Sequence, residues 1–350
     1  MNIRESTKGL YVYGFVPTNS AADQFRGLGN IHVFDIPYKN ATAIVSKKKV
    51  VDLMDLGKDS LAKLLIGHQQ TIERLMGLGF NTIIPMRLGT FAYEPIDVLK
   101  MLDKGYDLIQ ETFEKINNLL EVDIVASWSD FAQIIGEVAL DQRVAEMKKK
   151  LELNKNGISQ SDQIAIGFVI KNLLDEKKSA YAKMITDSLM PLCKKVIHHE
   201  VFDDQMVINT AFLLDKSQSV SIEQTLDHLD EQFGGKLNFK LIGPLPCYSF
   251  YTMEKKVLHP DDIKSAKKEL GLENSTSEKD IRQAYLNKAK IFHPDANADI
   301  TGSVSFDNIN KAYKTMSDYV SAVKPASREA QFSLGGDDVA ENSFFMKIKE

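Results

Sequence analysis

"TSEKDIRQAYLNKAKIFHPD", residues 276–295, decides how the C-terminal third of this chain is read. Ser277 with an acid three residues on, Asp280, is an N-cap arrangement: a serine hydroxyl accepts a backbone N–H that the first helical turn leaves without a partner. Ile281, Ala284, Tyr285 and Phe292 then recur at helical spacing, with Ile291 beside them. Beyond His293-Pro294-Asp295, "FDNINKAYKTMSDY" (306–319) repeats the pattern through Phe306, Ile309, Tyr313 and Met316. The spacing predicts two amphipathic helices flanking an exposed loop. Its proline stiffens a tip that presents an imidazole and a carboxylate. The same triplet in "LHPDD" (258–262) reads differently. There Pro260 suits a first helical position, and Asp261 and Asp262 suit the positive end of the helix dipole.

Upstream the texture is mixed. "GLYVYGFVP" (9–17), "NIHVFDIP" (30–37) and "ATAIVSK" (41–47) read as a strand followed by a hairpin. A helix is expected over 60–80, with Leu61, Leu64, Leu65, His68, Ile72, Leu75 and Met76 on one face. "NTIIPMRLGT" (81–90) reads as a strand, and 94–120 as a helix with Leu99, Leu102, Tyr106, Ile109, Phe113, Ile116 and Leu120 in its stripe. "EVDIVASW" (121–128) is a strand, followed by helical segments at 130–153 and 159–199 broken by "NKNG". "QMVINTAFLLD" (205–215) is a strand, 221–235 a helix capped by Ser221, and 236–251 a strand whose two prolines suit a sheet edge. The expected fold class is α+β: two consecutive units with ferredoxin-like antiparallel sheets and helices on one face, joined by an αα-hairpin. An all-α module follows. The expected domains are 1–120, 121–253 and 254–322, with 323–350 a disordered tail whose last residues, "SFFMKIKE", keep apolar character able to dock.

The C-terminal module resembles a J domain, the module of the DnaJ (Hsp40) family. "LGL" (270–272), "SEKDIRQAY" (277–285), "FHPD" (292–295) and "FDNINKAYKTMSD" (306–318) carry the resemblance. It implies docking on an ATP-loaded DnaK-type Hsp70 through His293, Pro294 and Asp295, with Arg282, Lys288 and Lys290 as a basic rim. It also implies a core of Leu270, Ile281, Tyr285, Phe292, Phe306, Ile309 and Tyr313. Two departures stand out. Leu286, Asn287 and Ile291 occupy commonly basic places, and the aromatic residues expected in the first helix are missing, leaving Ile263, Ala266 and Leu270 to pack there.

Residues 1–253 resemble the GvpL/GvpF family of gas vesicle proteins. "GLYVYGFVP", "TIIPMRLGT" (82–90), "VDIVASW" (122–128), "INTAFLLD" (208–215) and "LIGPLPCYSF" (241–250) stand in the family's order. The resemblance implies an accessory of gas vesicle assembly that binds the aggregation-prone shell subunit GvpA and other accessory proteins, in the cytoplasm and on the vesicle. A minor structural component of the vesicle is the alternative it leaves open.

Composition narrows the rest. The chain has 350 residues, 26% of them charged, and a net charge of −5, which sets up no strong field for nucleic acid or anionic lipid. Cys193 and Cys247 lie far apart, outside any metal or redox spacing. The opening residues lack a secretory layout and no apolar run reaches membrane-spanning length, so a soluble cytoplasmic protein is expected. No cofactor, metal site or enzymatic activity is expected. His68 sits among apolar residues and reads as a core histidine. "HHEVFDD" (198–204) lacks a distant ligand set, and Ser249 lacks the glycines of a nucleophile elbow.

Overall fold

Aromatic and β-branched residues place β1 (Lys8–Pro17) at the centre of a sheet, buried on both faces along nearly its whole length. The computed structural model describes residues 8–18, 33–152, 159–292 and 300–349. Two compact units result, one of residues 1–114 with 252–350 and one of residues 115–251.

In the first unit β2 (Val33–Tyr38) and β3 (Ala41–Lys49) form the expected hairpin, and β3 pairs antiparallel with β1. Helix α1 (Lys58–Gly77) follows. Its apolar stripe is buried only from His68 onward, at His68, Thr71, Ile72 and Leu75; Leu61, Leu65 and Ile66 remain exposed. The strand expected over 81–90 shrinks to β4 (Ile84–Pro85), since Pro85 has no N–H to extend a ladder; β5 (Phe91–Ala92) adds a second short pairing to β1. Helix α2 (Pro95–Ile116) buries Leu102, Ile109, Phe113 and Ile116 of its expected stripe and leaves Leu99 and Tyr106 half-buried; it stops at Ile116, and Leu120 belongs to the following strand instead.

The second unit is a four-stranded antiparallel sheet in the order β7-β8-β6-β9. Its strands are β6 (Leu119–Trp128), β7 (Lys195–His198), β8 (Met206–Asp215) and β9 (Leu237–Leu245). Helices α3 (Phe131–Ala139), α4 (Gln142–Glu152), α5 (Gln160–Leu189) and α6 (Ser219–Phe233) complete it, with a single turn, α7 (Tyr248–Tyr251), after β9. Alternate β6 residues Leu120, Val122, Ile124, Ala126 and Trp128 meet Ile134 of α3, Ile185 of α5 and Leu229 of α6 in one core. Three expectations change here. The helix expected to reach 199 stops at Leu189, because Pro191 interrupts it and Val196 and Ile197 pair with β8 instead. The segment 130–153 breaks at Asp141, whose carboxylate accepts the Arg143 N–H at 2.9 Å and restarts the helix. Helix α6 begins at Ser219 rather than at a Ser221 cap. Strand β9 lies at the sheet edge, as Pro244 within it suits, and ends at Leu245, short of the strand expected to reach 251. The "NKNG" break lies outside the described residues.

The chain then returns to the first unit through β10 (Met253–Val257), in a stretch expected to hold no strand. Helix α8 (Pro260–Leu270), β11 (Ser275–Thr276), α9 (Glu278–Phe292), α10 (Ile300–Val323), β12 (Phe332–Ser333), α11 (Gly336–Glu341) and β13 (Phe344–Ile348) follow. The disordered tail expected from 323 is instead folded. β13 pairs antiparallel with β10 and β12 with β11. Phe344, Phe345 and Met346 are buried, which supplies the apolar burial that the polar composition of the preceding residues concealed.

Candidate functional site

The C-terminal helices are held by side chains that the sequence pattern largely named. Pro260 opens α8 with Asp261 and Asp262 in its first turn, and Gly271 at φ +72° closes it in the left-handed region that favours glycine. Ser277 and Asp280 form the reciprocal cap. The Ser277 hydroxyl accepts the Asp280 N–H at 3.1 Å, while the Asp280 carboxylate accepts the Ser277 N–H at 3.0 Å and its O–H at 2.7 Å. These bonds, with one donated by Gln331, hold the Asp280 carboxyl below its usual range.

Ile263, Ala266 and Leu270 of α8, Ile281 of α9, and Ile309, Met316 and Tyr319 of α10 share one buried core. Tyr285, Phe292 and Tyr313 are half-buried against it. The Tyr285 and Tyr313 rings stack at 4.3 Å, and the Tyr285 hydroxyl donates to Asn310 Oδ1 at 2.9 Å, so α9 and α10 are joined by both packing and a hydrogen bond. Phe306 is half-buried. The sequence reading missed who replaces the absent aromatics of the first helix: Leu334, Val339 and Phe345 of the C-terminal segment enter this same core. Backbone bonds fix them there, from Leu334 N–H to the Asn274 carbonyl and from Leu258 N–H to the Ser343 carbonyl, both at 2.7 Å.

That segment also ties the helices to the rest of the first unit. Met346 packs where a side chain on Gly105 of α2 would collide with it. Lys104 donates to Asn342 at 3.1 Å, and the buried Glu254 carboxylate is clasped by Arg87 at 2.8 Å and Lys347 at 3.4 Å.

The basic residues of α9 divide. Arg282 and Lys290 are exposed and two turns apart, with exposed Leu286 between them on the same face. Lys288 is half-buried and donates to the Glu269 carbonyl at the end of α8, where a cation suits the negative end of the helix dipole. His293, Pro294 and Asp295 lie outside the described residues.

The histidines and the serine weighed as catalytic or metal-binding each have a defined hydrogen-bond partner. His68 is buried, its Nδ1 2.8 Å from the Tyr11 hydroxyl and its ring stacked on Tyr13; burial and nearby Lys48 bring it down to about 4. His198 Nδ1 meets the Thr210 hydroxyl at 2.9 Å, and among the described residues no group of three His, Cys, Asp or Glu could hold a metal ion. Among the described residues, no helix is long and apolar enough to cross a membrane. Ser249 gives both its N–H and its O–H to the buried Glu121 carboxylate at 2.8 Å, with His199 Nε2 3.2 Å from the hydroxyl. Burial pushes Glu121 up to about 8 against the pull of those two bonds, and Asp123 is raised by the same cause. The sequence signal for this pairing was a glutamate within a strand that is otherwise apolar on alternate positions.

Comparison with known proteins agrees with this architecture. Residues 9–252 match the family described as gas vesicle synthesis protein GvpL/GvpF, and residues 267–322 match the DnaJ domain. The chain is 24% identical over 246 residues to gas vesicle protein F of Nostoc sp., covering 70% of this chain and 98% of that one. It is 37% identical over 70 residues to chaperone protein DnaJ of Ruminiclostridium cellulolyticum, covering 20% of this chain and 17% of that one. The crystal structure of gas vesicle protein GvpF from Anabaena sp. superposes with a TM-score of 0.57 at 23% identity, over 69% of this chain and 97% of that one, and so shares its fold.

Proposed function

The chain belongs to the gas vesicle synthesis protein GvpL/GvpF family and carries a DnaJ domain, and from that premise we propose that it is a gas vesicle assembly accessory whose C-terminal helices recruit an Hsp70 chaperone. Its body holds the aggregation-prone shell subunit GvpA and meets other accessory proteins. The DnaK-type Hsp70 docks at His293, Pro294 and Asp295 and along the α9 face bearing Arg282 and Lys290. Lys288 serves that face indirectly, by fixing α9 against α8. The single observation that carries the reading is the packed α9–α10 pair, its Tyr285–Tyr313 clasp formed inside the stretch that matches the DnaJ domain. No catalytic step is assigned to the chain itself, and it acts in the cytoplasm, at the vesicle.

The test is single-turnover ATP hydrolysis by a DnaK-type Hsp70 with the full chain. Residues 254–322 alone would lack Leu334, Val339 and Phe345 and are the wrong probe. Stimulation by the wild type that is lost in His293→Gln supports the proposal; no stimulation by either refutes it. A second reading takes the helices as a fixed contact in the vesicle wall, made through the two exposed apolar residues of α9, Leu286 and Ile291. Stoichiometric retention on vesicles after a urea wash would select it.

A further inference from the structure

Five residues of α5, Ile164, Phe168, Lys171, Asp175 and Lys178, fall within one narrow helical face by their spacing. The connection between β7 and β8 bonds to the C-terminal part of that face. Lys178 is buried and donates to the Asp203 carbonyl at 3.2 Å, and Lys171 pairs with Asp204 at 3.6 Å. The connection is further pinned from within. Asp203 accepts the N–H groups of Gln205 and Met206 at 2.9 Å, and Asn209 donates to the Glu200 carbonyl at 2.9 Å.

This well-bonded loop nevertheless leaves Val201 46% and Phe202 78% exposed, and the uncovered turns of α5 leave Phe168 63% and Ile164 55% exposed. Single exposed apolar residues are ordinary; four large ones, two on a bonded loop and two on the α5 face that begins one turn from where Asp204 of that loop meets Lys171, mark an interaction surface. Its surroundings are acidic. Among the described residues of this loop and face, Glu200, Asp203, Asp204 and Asp175 are accompanied by Lys171, which pairs with Asp175 at 3.5 Å and Asp204 at 3.6 Å, and by the buried Lys178, so the balance is negative.

We propose that Val201, Phe202, Phe168 and Ile164 form a docking surface for an amphipathic helix of a partner protein that carries lysine or arginine beside its apolar stripe. The apolar residues supply the seat, and the carboxylates select the sign of the flanking charge. An acidic helix would leave Glu200 and Asp204 facing like charge as they are desolvated.

The experiment uses the full chain and two fluorescent synthetic helices with the same leucine stripe, one flanked by lysine and one by glutamate. Anisotropy titration is expected to give the lysine helix at least about tenfold tighter binding, weakened by salt. Phe202→Ser should weaken it about tenfold without shifting the thermal melt, since the side chain is exposed. Glu200→Lys should narrow the preference between the two helices. Equal binding of both helices, or no effect of Phe202→Ser, overturns the proposal. So does self-association of the wild type that Phe202→Ser abolishes, because the occupant would then be a second copy.

Discussion

Replacing Glu121 with glutamine should remove most of the pH dependence of the second unit's stability between pH 5 and pH 8. The carboxyl is 1% exposed, and burial moves it from an ordinary 4.5 to about 8. Over that interval the folded state keeps a proton that the unfolded chain has released, so stability is complete at the acid end and is lost as pH rises. The slope is about 1.4 kcal/mol per pH unit, which accumulates to roughly 3 kcal/mol between pH 5 and 7.5. Asp123 is raised by the same burial and acts in the same direction. Glu137 is held down to about 2 by hydrogen bonds from Lys177 and Lys236, so its contribution changes only below this window. Glutamine keeps an oxygen for the Ser249 N–H, and its amide donates to the Ser249 hydroxyl, which turns its own hydrogen toward His199. The assay is unusually clean: the chain's single tryptophan, Trp128, is buried in this unit's core, so its fluorescence follows this unit's melt. The wild type should lose about 10 °C between pH 5 and 7.5, and Glu121→Gln should lose little. A wild-type melt that rises with pH, or a variant that keeps the full slope, would refute the reasoning.

The first unit should respond in the opposite direction. His68 is buried neutral and brought down to about 4 from 6.5, so stability falls as pH drops below 6.5, by up to roughly 3 kcal/mol, and hydrogen exchange of β1 should accelerate accordingly. Phe345→Ala should destabilise the α8–α10 core by about 3 kcal/mol, read as faster exchange in α8 and α10 despite its distance from them in sequence. Ser277→Ala should cost about 1 kcal/mol by removing the hydroxyl that accepts the Asp280 N–H, visible as fraying of the first turn of α9.

How much of this could be read in the sequence follows the range of the interactions. The Ser277–Asp280 cap and the α9 stripe are local, and one turn of helix contains all the information they need. Edge placement of β9 followed from its prolines, which remove ladder donors wherever they occur. β10 was invisible because "MEKKV" carries little apolar signal of its own, and its partner β13 lies some ninety residues away. The apolar character of "SFFMKIKE" (343–350) was legible as a segment able to dock, but not which core Phe345 fills. The α1 stripe promised burial from Leu61, but a stripe shows which way a face points and not how far the opposing surface extends. Glu121 and Ser249 are 128 positions apart, and only the sheet brings them together.

The central claim is that one chain couples a vesicle-assembly body to an ATP-driven chaperone. Light scattering of denatured GvpA diluted into the full chain, a DnaK-type Hsp70 and ATP tests that coupling directly. The account predicts suppression of scattering that requires Hsp70, ATP and the wild-type chain together and fails with His293→Gln. Equal suppression by His293→Gln, or no gain on adding Hsp70 and ATP, would contradict it.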